Sequence, residues 1–317
     1  MRYSRIPYTL PLILAAASAA ASETGHFAPG TLGPIDLVLP GPGWQYVQYN
    51  IYYDTDQYRD QNGHRLNSLT VNGHTVNLDI NVDSWEVAPG LLWASKDKIL
   101  GANYGFFVLQ PVGNLGIDAS LSMETAGIRA KDSTFGLGDS FVEPVWLRWD
   151  MDDNSAGLSY GVYIPDGKYS AGSPSNVGLG FWTNEFQILG AHYFDDHKAT
   201  MLTSSLTYEI HGRKDGLDLT PGQDLTFHSG IMHMMPISDN WVGHASITGY
   251  GEWQITDDRG SDATNPTVRD RVYGAGLQAG LSYAPLGTFD LRWTHELDAV
   301  DRFQGNYYLF VLDIPFQ

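Results

Sequence analysis

The chain has 317 residues, 36 acidic against 18 basic side chains and no cysteine, for a formal net charge of -18. That excludes a disulfide framework and thiolate chemistry, and it argues against nucleic acid or an anionic lipid surface as a partner. Stability must come instead from extensive hydrogen bonding and a large buried surface.

The N-terminus reads MRYSRIPYTLPLILAAASAAASETG. Arg2 and Arg5 precede a short apolar run, Leu10 to Ala17, and Ala19-Ala20-Ala21 supplies the small residues that signal peptidase accepts. This predicts an export signal over 1–22, cleaved near Ala21 or Ser22. The run falls short of the roughly 20 residues of a spanning helix, and no later stretch approaches that length. Without Arg2 and Arg5 the chain carries 16 basic residues against the same 36 acidic ones. Residues 23–43 are rich in Gly and Pro and form a segment of their own.

From residue 44 onward the pattern is period-two alternation, repeated many times, with almost no helical period. In ATMLTSSLTYEIH (199–211), Leu202, Leu206, Tyr208 and Ile210 share one face, and Thr203, Ser205, Thr207, Glu209 and His211 the other. WVGHASITGYGEWQIT (241–256), VYGAGLQAGLSY (272–283) and TFDLRWTHEL (288–297) behave alike. TVNLDINVD (75–83) alternates cleanly until its register flips near Ser84, which suggests a bulge or a hidden turn. About twelve strands are expected, near 44–58, 75–95, 99–112, 139–150, 156–165, 179–194, 199–211, 223–235, 241–256, 271–284, 287–298 and 305–316. Short connections, such as Lys96-Asp97-Lys98, alternate with long polar ones at 59–74, 113–138, 166–178, 212–222 and 257–270.

Alternation alone does not say which face points inward. Export, strands of about 9–11 residues or more, alternating loop lengths and aromatics near strand ends favour a membrane barrel with an apolar exterior. YYLFVLDIPFQ (307–317) adds an amphipathic final strand whose aromatic is penultimate.

Motifs with chemistry fit a barrel better than an enzyme. GLSYG (157–161) matches G-x-S-x-G, but that elbow needs a helix after Ser159, and a strand pattern follows. GAGLQAG (274–280) has the wrong spacing for a dinucleotide loop and lies within a strand. In MHMM (232–235), His233 points away from Met232 and Met234, so they do not converge on a metal. DDRGSD (257–262) and DTDQYRD (54–60) lack the spacing of calcium loops. A barrel-embedded hydrolase has only Ser159 or Ser205 with a lumen-rim histidine as candidates. No catalytic residue, cofactor site or metal site is assigned.

Several segments resemble one family in order along the chain. They are ETGHFAPG (23–30), ILGANYGFFVLQP (99–111), GLGDSFVEPVWLRW (136–149), GVYIPDGKYSAGSPSNVGLGFW (161–182), RFQG (302–305) and the IPF ending. Together they resemble the outer-membrane proteins of the meta-pathway phenol degradation family. Asp166 stands where Thr or Ser is expected, and the region after Leu206 lacks an Asn and Thr-Asp-Tyr pattern. The resemblance implies transporter barrels associated with aromatic catabolism.

The expectation is an all-β antiparallel transmembrane barrel of about twelve strands over 44–317, of the Gram-negative outer-membrane type. Both termini are periplasmic, and 23–43 lies in or beside the lumen. Its partners are outer-membrane lipid, small-molecule solutes and the barrel-insertion machinery, with no nucleic acid. The expected function is passive uptake of small compounds, aromatic or hydrophobic ones included. The alternative is a non-conducting structural or adhesive barrel plugged by 23–43. Segment 161–182 has no helix behind its glycines to bind phosphate, so it reads as a rim loop. Asp139, Tyr163, Pro165, Gly167, Tyr169, Asn176 and Trp182 are the candidates to shape the pore mouth.

Overall fold

The computed structural model describes residues 24–71, 74–123, 126–284 and 286–316. The expected signal, 1–22, lies outside them. The first strands are β1 (Gly43–Thr55), β2 (Tyr58–Arg59), β3 (Ser68–Val71), β4 (His74–Ile99), β5 (Ala102–Leu109), β6 (Val112–Met123) and β7 (Ala126–Leu137). Then come β8 (Ser140–Met151), β9 (Asn154–Ile164), β10 (Thr183–Tyr193), β11 (Thr200–His211) and β12 (Asp224–Ser238). The chain ends with β13 (Trp241–Gln254), β14 (Arg271–Tyr283), β15 (Gly287–Val300), β16 (Arg302–Phe303) and β17 (Asn306–Phe316).

Twelve of these strands close a barrel. β1 pairs antiparallel with β17 on one side and with β4 on the other. The circuit runs β1, β17, β15 back through β8, then β5 and β4. Closure leaves no edge among these twelve strands and satisfies the backbone within the ladder, the condition for crossing lipid with strands.

The side chains are inverted relative to a soluble protein. On β11 Thr203, Ser205, Thr207 and Glu209 are buried, whereas Leu202 and Leu206 are exposed. Ile188 is 60% exposed, Ile247 60% and Leu291 66%. An apolar exterior around a polar interior is the arrangement that lipid requires. Trp44, Trp93, Phe106 and Phe316 cluster at the rim where β1 begins, and Trp241 stacks on Tyr283 at the same rim. At the opposite rim the Trp253 indole N–H donates to the Tyr273 hydroxyl at 3.0 Å. These are interfacial girdles.

Segment 113–138, expected as a polar loop, is instead mostly the β6–β7 hairpin. β6 continues the line of β5 beyond Gln110–Pro111 and stays paired with the first half of β4. Its short, Gly-rich alternation (VGNLGIDASLSM) gives a weak strand signal. This extension stands beyond the barrel, and there the inversion disappears. Val76, Leu78, Ile80 and Val82 are buried with Ala119, Leu121 and Tyr58, and Asn77, Asp79 and Asn81 face out.

The flip at Ser84 is neither bulge nor turn. The β1–β4 ladder runs unbroken through it, from Thr55↔Val82 to Gly43↔Ala94. What changes is the medium: the outward residues pass from Asp79, Asn81 and Asp83 to Trp85 and Leu91, 46% and 40% exposed. The strand leaves water and enters lipid at Trp85. The turn expected at 96–98 lies at Leu100–Gly101, both at positive φ (53° and 79°), as a two-residue hairpin requires. The displaced register belongs to an irregularity between Ala94 and Lys98.

Candidate functional site

The lumen is lined by two unlike walls. Along β10 to β15 the inward side chains are polar, including Gln187, Thr207, Asp224, His244, Gln278 and Glu296. Along β1, β17, β4, β5 and β8 they are largely apolar, including Val47, Leu309, Val311, Leu92, Phe107 and Trp146. Each follows from the in-facing half of the alternation: TSSLTYE-type strands put hydroxyls and carboxylates inward, and ANYGFFVL puts Phe107 inward.

Residues 24–42 lie inside the barrel and dock on the polar wall. Two short 3-10 turns, Pro29–Thr31 and Pro34–Leu37, begin with proline, whose fixed φ suits a tight turn. The Asp36 carboxylate accepts from the Gly33 N–H at 2.7 Å and also pairs with Arg292. Arg292 donates to the Thr31 carbonyl at 2.9 Å and to Asp290 at 3.2 Å, and its side chain is 3% exposed. Thr294 donates to the Gly30 carbonyl at 2.9 Å. Close approach needs small residues here: a Cβ on Gly230 would sit 2.8 Å from Pro34 Cγ. Toward the short-turn rim, Leu39 is fully buried against Leu92, Ala94 and Trp146, and Arg148 donates to its carbonyl.

The segment leaves open the space against the apolar wall. A cavity of about 750 Å³ runs there, lined by Val47, Ala88, Leu92, Phe107, Phe141 and Trp146 and by the segment's own Leu32, Ile35 and Val38. It reaches Tyr283 and Gly287 at the short-turn rim and Asp139, Val177 and Leu179 beneath the 165–182 loop. Besides Asp139 and the Arg292 partners Asp36 and Asp290, the carboxyl groups of Glu86, Glu143, Glu185 and Asp313 also face it. Its two arginines are engaged: Arg292 as above, and Arg148 with Asp150 at 2.9 Å.

At its loop-side end the segment is pinned by His26. Its Nε2 lies 3.0 Å from Asp139 Oδ2 and its Nδ1 2.8 Å from Thr183 Oγ1, and its ring stacks on Tyr163 with centroids 4.6 Å apart. Backbone N–H groups of His26 and Phe27 donate to Glu209 Oε1 at 3.0 and 3.1 Å. Burial holds the His26 imidazole below its ordinary pKa, although Asp139 pulls the other way. For Asp139, burial opposes ionisation, but donors from His26, Leu179 and Gly167 outweigh it and keep the carboxyl below the usual carboxylate range.

Of the sequence candidates, Asp139, Tyr163 and Gly167 meet around His26. Pro165 opens the loop beside them. Tyr169 packs over Gly180 (φ 76°) with Lys214 above its ring. Asn176 holds the loop together, accepting from the Ser170 N–H at 2.9 Å, and does not reach the lumen cavity. Trp182 is 51% exposed and points away from the others. The Ser159 hydroxyl meets the Gln187 amide at 3.3 Å, and Ser205 is buried on the polar wall. Sequence reasoning did not single out His26, Asp36, Thr183, Asp224 or Arg292. His26 sits in the ETGHFAPG segment, whose one signal in the sequence is the family resemblance.

Comparison with known proteins now places the chain. The profile of the family described as "Putative MetA-pathway of phenol degradation" matches residues 55–311. The chain belongs to that family. No curated protein is matched. Among solved structures, the family member shares its fold with the COG4313 outer membrane channel from Pseudomonas putida F1 (TM-score 0.69, 14% identity, 90% of this chain and 100% of that one). Weaker likenesses are a Pseudomonas aeruginosa FadL homologue (TM-score 0.41, 10% identity, 96% and 98% coverage) and the beta domain of the Bordetella autotransporter Brka (TM-score 0.45, 10% identity, 87% and 100%).

Proposed function

We propose that this family member is a passive channel of a Gram-negative outer membrane, reached by export through the signal at 1–22. It admits small neutral molecules with an aromatic or hydrophobic face. The observation that carries this reading is the cavity along the apolar wall, left open because residues 24–42 lean on the polar wall. An apolar solute gains by leaving water along Phe107, Leu92 and Trp146. With Arg148 and Arg292 both engaged, the lining offers no free arginine to an aromatic carboxylate, which favours neutral solutes. The fold resembles that of a protein named as an outer membrane channel, which is consistent with this role.

A neutral aryl glycoside does not cross lipid unaided, so it reports on the protein. Liposomes containing the pure protein are expected to swell faster in phenyl glucoside than in a disaccharide of similar mass, and faster than empty liposomes in either. Permeability equal to that of empty liposomes would overturn the proposal.

Occupation of the lumen by residues 24–42 favours a second reading, a non-conducting plugged barrel. Deleting 24–42 separates the two. A plug predicts no conductance in the whole chain and a large rise on deletion, whereas the channel already conducts with the segment in place.

A further inference from the structure

The loop-side end of the lumen contains an arrangement that solute passage does not use. Five side chains form one line: Asp139, His26, Thr183, His211 and Asp224. His26 Nε2 and His211 Nε2 each lie 3.0 Å from a carboxylate oxygen, of Asp139 and Asp224 respectively. Both Nδ1 atoms lie 2.8 Å from the same Thr183 hydroxyl. The side chains of His211 and Asp224 are 0% and 1% exposed, and those of His26 and Asp139 5% and 2%.

With Asp139 and Asp224 both ionised, the donors do not add up. With neutral imidazoles, each Nε2–H donates to its carboxylate, and both Nδ1 atoms present lone pairs to one hydroxyl. That hydroxyl carries a single proton, so one lone pair faces oxygen with no donor between them. Beside it, Glu209 is 1% exposed and its Oε2 has no hydrogen-bond partner among the described residues. His26, His211 and Glu209 each offer a ligand atom, and the three atoms lie within 4.8 Å of one another. A positive ion placed there answers both deficits.

We infer that His26, His211 and Glu209 bind one divalent metal ion of the zinc class, which clamps the N-terminal segment to β11. Two imidazole nitrogens and one carboxylate oxygen are the donor set that zinc accepts, and calcium or magnesium would ask for oxygens throughout. The partners of the remaining ring nitrogens fit as well. Metal-bound histidines donate their other N–H to a carboxylate, which fixes the tautomer and aims the ring; Asp139 and Asp224 already hold that place. Ligands on tetrahedral zinc stand about 3.4 Å apart. Closing from at most 4.8 Å needs a shift of about 1 Å, toward which the Glu209 carboxylate offers Oε2, without a hydrogen-bond partner among the described residues. The clamp joins chain positions far apart in sequence, so it acts on the segment that decides how much of the lumen is open.

The test reads metal binding, so it stands or falls separately from solute passage. The whole chain, folded in detergent and stripped with a chelator, is titrated with zinc chloride by calorimetry. One ion per barrel is expected, with affinity lowered at least tenfold in His26→Gln and in His211→Gln. It should be unchanged in His192→Gln, an exposed histidine at the short-turn end of β10, and calcium chloride should give no heat. Folding of each variant is checked by the shift in gel mobility between unheated and boiled samples. X-ray absorption at the zinc edge of the unaltered protein supplies a second measurement, which should show imidazole scattering from two ligands. Absence of binding, binding undiminished in both variants, or an all-oxygen shell would each overturn the inference.

Discussion

The polar wall and the apolar wall belong to one barrel and follow the same alternation, yet they treat the N-terminal segment differently. On β10 to β15 the segment is tied by directed bonds: Arg292 to Asp36 and Thr31, Thr294 to Gly30, Glu209 to the His26 and Phe27 amides. Opposite β4, β5 and β8 it is held by the burial of Leu37 and Leu39 and by one bond, from Arg148 to the Leu39 carbonyl, and elsewhere it stands off. Directed bonds fix position; apolar contact fills or leaves space without specifying orientation. The difference shows how a narrow twelve-stranded barrel holds an internal segment and still keeps a path. Saturating one wall with hydrogen bonds commits the segment there.

The strongest way to break the asymmetry is to remove its central tie. Arg292→Leu leaves Asp36 and Asp290 facing each other without their cation, in a site where the Arg292 and Asp290 side chains are both 3% exposed. Breaking a buried ion pair by losing one partner costs about 3–5 kcal/mol. The segment should undock, conductance should rise, and the folded band on an unheated gel should convert at a markedly lower temperature. An unchanged conversion temperature would mean that the segment is held by something else.

A smaller effect is expected on the opposite wall. Trp146→Ala removes an indole that borders the cavity and packs on Leu39. A fully enclosed Trp→Ala change costs about 3–5 kcal/mol; with open space on one side the loss should fall at or below the bottom of that range. The informative readout is selectivity: swelling in a biphenyl glycoside should rise relative to phenyl glucoside. If both rates stay the same, solutes do not follow the apolar wall.

The sequence makes one wall legible and hides the other's role. Period-two alternation, the long-short loops and the aromatics at strand ends predict the barrel, because lipid on one side and a lumen on the other impose a regular two-fold pattern. What lies beyond the lipid obeys other rules. In the β4 extension, Val76 to Val82 turn inward as in a soluble sheet, so the medium changes at Trp85 while the backbone does not. In the sequence alone that change looks like a bulge or a hidden turn near Ser84. The weak alternation of 113–138 hid the β6–β7 hairpin for the same reason. The site is harder still, since His26, Thr183, His211 and Asp224 lie on four separate stretches and meet only through barrel closure and the path of the segment. Asp139, Tyr163 and Gly167 were within reach because the 161–182 loop and the GLGD segment draw attention to themselves.

The smallest effect should come from outside both walls, and it tests whether the loops above the lumen matter to the asymmetry beneath. Asp218 accepts from the Ser261 N–H at 3.1 Å and from its hydroxyl at 2.9 Å, joining the loops that follow β11 and β13. The Ser261 donors, with Arg213 nearby, hold its carboxyl below the ordinary range. A lowered folded-state pKa stabilises the folded arrangement above the unfolded value, near 4, and that contribution is lost as pH falls through the lower folded value. Limited proteolysis of these loops should therefore be slow and constant from pH 7 to 5 and faster near pH 3. Asp218→Asn should remove this part of the pH dependence and leave swelling rates unaltered. A change in solute selectivity in that variant would show that the loop pair reaches into the cavity, and the contrast between the two walls would then not be enough to account for what passes.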